Sequence, residues 1–90
     1  MSVLVVGSHE VRDYDSWKKG FDAHGPAREG AGLKLRFVGR DAANPNLVHM
    51  GFDAPSAEAA RAFLGAPGLA EAQAAAGVLG VPQMHIVELA

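Results

Sequence analysis

HEVRDYDSWKKGFDAHGPAREGAG, residues 9–32, decides how this chain folds. Its first three residues end a β-branched run, and the chain then passes directly into a segment with helical spacing. At ~100° per residue, Tyr14, Trp17, Phe21, His24 and Arg28 fall within a wedge of about 80°. One stripe thus holds three aromatic rings, an imidazole and a guanidinium, while Asp15, Lys18, Lys19 and Asp22 point elsewhere. Such a stripe is first of all a core, and at its polar far end a place where a site could lie. Asp13 or Asp15 is placed to cap the helix by accepting from the free N–H groups of its first turn. Gly25-Pro26 then breaks the pattern, because proline inside a helix removes one hydrogen bond and clashes with the preceding turn. A kink or restart is expected there, which could displace Arg28 from the ideal stripe. Gly30 and Gly32 end the helical stretch.

Ahead of this stretch, SVLVVGSHEV (2–11) reads as a strand, and its unbroken apolar run from Val3 to Val6 implies burial on both faces. Gly7 marks a bulge or a close approach. Behind it, LKLRFVGR (33–40) is an edge strand with Leu33, Leu35 and Phe37 on one side and Lys34, Arg36, Val38 and Arg40 on the other. DAANPN (41–46) is a turn. LVHMGFDA (47–54) is a third strand, with Val48, Met50 and Phe52 on one face and Leu47, His49 and Gly51 on the other. Ser56 caps a short helix through Leu64, with Glu58 well placed in its positive first turn. Pro67–Gly68 interrupts it, Leu69 to Ala76 resume it, and Gly77 stops it. A loop, VLGVP (78–82), leads into a last strand, QMHIVELA (83–90).

The order β-α-β-β-α-β is the ferredoxin-like α+β arrangement in one domain, 1–90. Its two helical segments can cover only one face of a four-stranded sheet, yet the first and last strands carry apolar residues facing both ways. The uncovered face therefore needs a partner, and the simplest is a second copy packed sheet to sheet, a homodimer. Size supports this: a 90-residue chain buries only about 60–65% of its unfolded surface. Without cysteine there is no disulfide, thiolate nucleophile or Cys-ligated zinc. A net charge of −2 without a basic cluster argues against nucleic acid. No stretch approaches the ~20 apolar residues of a membrane span, and MSVLVVGSHE lacks the basic region of a signal peptide. A cytoplasmic protein is expected.

With these elements placed, the chain resembles the dimeric α/β-barrel superfamily, in its antibiotic-biosynthesis-monooxygenase-like group of small proteins. The resembling residues are H-x-V-x-D-Y-D-x-W-K from His9 to Lys18 with Phe21-Asp22, and N-P-N from Asn44 to Asn46. S-x-E-x-A-x-x-F-L from Ser56 to Leu64 and L-x-E-A-x-x-x-A-G-V from Leu69 to Val78 complete the pattern. The resemblance implies a homodimer whose sheets form a shared barrel, with a small-molecule cavity between sheet and helices in each subunit. Members include cofactor-independent oxygenases of aromatic polyketides, polyketide cyclases, haem degraders and proteins with no demonstrated chemistry. Haem degraders use an Asn on the first strand and a His on the second helix; here the first strand has Gly7 and Ser8, and residues 56–76 hold no histidine. Plant-type cyclases pair a Tyr with a His in the C-terminal part; His85 matches that His, but the one tyrosine, Tyr14, lies on the first helix.

Gly7 and His9 share a face of the first strand, and His49 and Gly51 share a face of the third, which is its neighbour in this topology. If both pairs face the same way, two missing side chains open a hollow beside two imidazoles, the groups best suited to move protons near neutral pH. His9 and His49 are therefore the catalytic candidates. Tyr14 and Trp17 would wall the pocket, stacking an aromatic ligand and holding its hydroxyl. Arg36 or Arg40 would bind an anionic substrate oxygen, and His85 is a further substrate contact. The plainer reading makes each of these a core or surface residue. Four histidines without H-x-H or H-x-x-x-H spacing suggest no metal, and there is no phosphate loop, nucleophile elbow or dinucleotide fingerprint. No cofactor is expected. The sequence thus leaves two functions open: a cofactor-independent monooxygenase or cyclase of an aromatic or polyketide-like molecule, or a non-catalytic ligand-binding or accessory dimer.

Overall fold

The computed structural model describes residues 2–66 and 68–90. Four strands and four helices alternate as β1 (Ser2–Val11), α1 (Tyr14–Ala23), α2 (Gly25–Gly30), β2 (Lys34–Arg40), β3 (Leu47–Ala54), α3 (Ala57–Leu64), α4 (Leu69–Ala75) and β4 (Val78–Leu89). The strands form one antiparallel sheet in the order β2-β3-β1-β4, so β1 and β3 are central, as the ferredoxin-like reading requires. No helix among the described residues is long and apolar enough to cross a membrane.

The local chemistry of each boundary is visible. Asp13 caps α1, its carboxylate accepting from the Ser16 N–H at 2.9 Å, and Ser56 caps α3 by accepting from the Ala59 N–H at 3.0 Å. At Gly25-Pro26 the helix restarts: Pro26 stands in the first turn of α2, where its missing N–H is an orphan in any case. Gly32 and Gly77 turn the chain out of the helices at φ +85° and +89°, a region that side-chain-bearing residues rarely adopt. Pro67, expected to interrupt the second helical stretch, lies outside the described residues.

All four helices lie on one face of the sheet. Trp17 and Phe21 of α1 and Ala60 of α3 bury there against Val5, Val48, Met50 and Phe52. Two expectations change. Residues 78–82 are not a loop: Val78 and Leu79 pair with Val11 and Glu10, and only residues 80–82 bulge out opposite His9. An edge strand tolerates such a bulge, and both Gly80, at φ +69°, and Pro82 suit it. In β2 the alternation slips at Arg36, where a bulge lets Leu35 pair with Phe52 but Phe37 with Gly51. Phe37 thereby comes to the bare face and is 44% exposed.

Candidate functional site

A cavity of about 60 Å³ lies between the sheet and the helices. Its floor carries His9 of β1, Met50 and Phe52 of β3 and Met84 of β4; its walls carry Trp17, Phe21, His24 and Arg28 from α1, its cap and α2. The aromatic stripe of α1 thus does two jobs. Trp17 stacks on Phe21 at 4.8 Å between ring centroids, and Phe21 meets Phe52 at 6.0 Å. Beside the cavity runs a groove of about 580 Å³, floored by small residues such as Ala27, Ala59 and Ala62. His24, Phe63 and Leu69 line both spaces. The cavity, which is half open to the surface, by itself admits only a small fragment, since whole drug-sized ligands occupy roughly 300–1,000 Å³.

Two polar groups are buried on this face. His9 is 5% exposed and meets Trp17 edge-on at 6.5 Å, and its Nδ1 has no hydrogen-bond partner among the described residues. Burial pushes its pKa below the ordinary histidine value, with the Ser8 backbone pulling weakly the other way. Burial therefore favours the neutral form of the His9 imidazole. Arg28 lies with its guanidinium 3.8 Å from the Phe21 centroid and 5.5 Å from that of Phe52, and burial lowers its pKa against the opposing fields of Asp22 and Glu29. The restart at Gly25 keeps Arg28 on the stripe, contrary to the displacement a kink would bring.

The remaining candidates are elsewhere. Antiparallel pairing sets His9 opposite Val48 and His49 opposite Ser8, so the two histidines lie on opposite faces and share no cavity. The two glycines open no hollow either: the space above Gly7 is filled by the Met84 thioether, and that above Gly51 by the Phe37 ring. His49 is held on the bare face, Nδ1 against Ser8 Oγ at 2.8 Å and Nε2 against Asp41 Oδ1 at 2.8 Å, an arrangement that holds the Asp41 carboxyl below its usual range. Arg36 pairs with Asp53 at 3.1 Å on that same face, and exposed His85 stands opposite Val6. Tyr14 packs on Trp17 at 5.9 Å and under the Arg40 guanidinium at 4.4 Å, outside the cavity lining. Of the six residues singled out, His9 and Trp17 meet at the cavity. Arg28, Phe52 and Met84 were not singled out; the signals were the stripe position of Arg28 and the volume of Phe52 on the Val48 face.

No protein-family model and no curated protein matches the sequence. Solved structures do match in shape. A putative antibiotic biosynthesis monooxygenase from Bordetella bronchiseptica aligns with TM-score 0.80 over 99% of this chain and 97% of that one, at 14% identity. The fold is that of the antibiotic-biosynthesis-monooxygenase-like proteins. A second protein so named, from Caulobacter crescentus CB15, aligns at TM-score 0.76 over 99% of this chain and 90% of that one, at 16% identity. An uncharacterized NIPSNAP-like domain protein from Burkholderia xenovorans aligns at TM-score 0.67 over 99% and 85%, at 15% identity. The resemblance carried by His9 to Lys18 and by the helical motifs therefore holds at the level of fold.

Proposed function

We propose that this chain is a small-molecule enzyme of the cofactor-independent oxygenase or cyclase kind, acting on an aromatic or polyketide-like substrate. The observation that carries this reading is His9: a buried imidazole, its neutral form favoured by that burial, with an unpartnered nitrogen at an aromatic-walled cavity. Such a group accepts a proton without first having to lose one. The same burial makes it a weak base, so it selects an acidic proton, a phenol or a methylene between carbonyls. The resulting anion then reacts with dioxygen or closes a ring. Trp17 and Phe21 would stack the reacting ring, and the body of a larger substrate would extend past Phe63 and Leu69 into the groove. We further propose that the working unit is a homodimer joined through the bare sheet face, where Leu4, Val6, Phe37 and Val87 lie.

The test uses 4-nitrophenol, whose anion absorbs in the visible, mixed with the protein below the phenol's own pKa. Wild-type protein should develop the nitrophenolate band, and His9→Ala should bind the probe without it. An equal band in both proteins removes His9 from the role. Binding in wild type without any band favours the non-catalytic ligand-binding dimer instead.

A further inference from the structure

Arg28 is the second buried polar group at this cavity, and proton transfer to His9 leaves it unused. We infer that Arg28 holds a carboxylate on the molecule that occupies the cavity; this rests on the cavity being a ligand site, as proposed above, but not on the chemistry of His9.

Arg28 is 9% exposed, yet among the described residues no carboxylate lies within ion-pair distance of it. Among the described residues the ion pairs are Lys18–Asp22, Arg36–Asp53 and His49–Asp41, and the arginine side chain that donates to a carbonyl is Arg40, to Pro45. The fully buried nitrogen without a partner among the described residues is that of His9, so the Arg28 guanidinium keeps an edge open to solvent. A mostly buried charge that no counter-ion compensates still costs the ligand-free fold stability. What steadies it is the π-face of Phe21 below and Phe52 beyond. Stacking uses only the flat side of the guanidinium. The N–H fork of a guanidinium lies in its own plane, and that edge matches the two oxygens of a carboxylate.

Charge counting narrows the class further. Asp22 and Glu29 act on Arg28 only as fields from outside the cavity, and the other polar side chains on the wall, His9, His24 and Gln73, bring no negative charge. One cation therefore asks for one anion. A phosphate dianion would call for more donors than a single guanidinium, and the cavity volume of about 60 Å³ suits a small planar group. Trp17 and Phe21 lie between His9 and Arg28 along the wall, each ring touching the next. The ligand class is thus an aromatic or enolic acid, with its carboxylate at Arg28 and its acidic proton toward His9.

The experiment compares benzoate with benzamide, and 1-naphthoate with 1-naphthamide, by calorimetric titration of the full chain. None of these probes offers a phenol to His9, so the result does not depend on the base. Wild-type protein should bind each acid roughly tenfold or more tighter than its amide, the scale of a charged hydrogen bond. Arg28→Met should abolish the preference, and Arg28→Lys should keep part of it. If Arg28→Met fails to fold, Arg28→Lys decides, because a point charge without the fork must lower the preference. Ligand-free Arg28→Met should melt no lower than wild type, whereas a purely structural brace would lower the melting temperature. Equal affinity for acid and amide, no binding of either acid up to its solubility limit, or a preference surviving substitution overturns the assignment. A failed nitrophenolate experiment beside an intact acid preference removes only the base.

Discussion

A buried imidazole that lacks a partner for one nitrogen destabilises its own fold, by about 1–3 kcal/mol for the lost hydrogen bond. His9 is such a residue, and its effect on stability depends on pH. The unfolded side chain takes up a proton near pH 6.5, while the buried one does so only at lower pH. Between those two values the unfolded chain binds more protons, so stability falls as pH falls. The contribution is present above about pH 6.5 and lost as the pH drops through the folded pKa of His9. His9→Phe keeps an aromatic ring against Trp17 and removes both penalties. It is expected to raise stability at pH 7 by about 1 kcal/mol and to flatten the pH dependence just below 6.5, read by urea unfolding across a pH series. Asp13 and Asp41, whose folded pKa values are also depressed, act in their own range near and below 3.8 and leave that window clear. An unchanged slope in His9→Phe would show that some other group titrates there.

At the scale of elements, the cavity depends on how closely α1 and α4 approach. A side chain at Gly20 would meet Ala76 Cβ at 2.9 Å, closer than real contacts allow, so α1 meets the capping residue at the end of α4 through a glycine and an alanine. Gly20→Ala gains about 1 kcal/mol of helix propensity but must push Ala76 and the end of α4 outward. Because Ala76 has no flexible tip to move, overpacking at about 1–3 kcal/mol outweighs the gain. Lower thermal stability and weaker binding of aromatic acids are expected, by scanning calorimetry and titration; a more stable variant would mean that α4 shifts freely. The elements themselves were largely legible: Asp13 and Ser56 announce helix starts, Gly32 and Gly77 their ends, and the apolar runs the strands. What one strand cannot reveal is its phase against the next. The grouping of Gly7 with His9, and of His49 with Gly51, was right within each strand, but pairing His9 with Val48 put the two groups on opposite faces. A one-residue difference in register moves every side chain across the sheet. Volume held the missing clue, since Val48, Met50 and Phe52 are the core-filling side of β3 and His49 is therefore on the other. Arg28 was harder to read, because its place depends on α2 restarting in line with α1 at Gly25-Pro26.

For the molecule as a whole, the bare face of the sheet sets the problem. Helices cover one side only, while Leu79 is 41% and Phe37 44% exposed, with Leu4, Val6 and Val87 beside them in register. Several polar groups on this face, though not exposed Glu10, Gln83 and His85, are satisfied within the chain: both nitrogens of His49 are bonded, to Ser8 and Asp41, and Arg36 is paired with Asp53. A second copy could therefore cover them without stranding those groups, which is the usual obstacle to burying polar side chains in an interface. Phe37, lying over Gly51 at the edge strand, is the apolar group that such a contact would bury most. Phe37→Glu places a charge there while leaving the helix-side core untouched. Sedimentation should show wild-type protein at twice the single-chain mass and Phe37→Glu dissociating at concentrations roughly tenfold or more higher, the scale of a buried unpaired charge. The substitution should leave the nitrophenolate band intact if each subunit carries its own cavity. Wild-type protein that sediments as a folded single chain, with Phe37 and Leu79 in water, would remove the dimer and leave the cavity of His9 and Arg28 standing by itself.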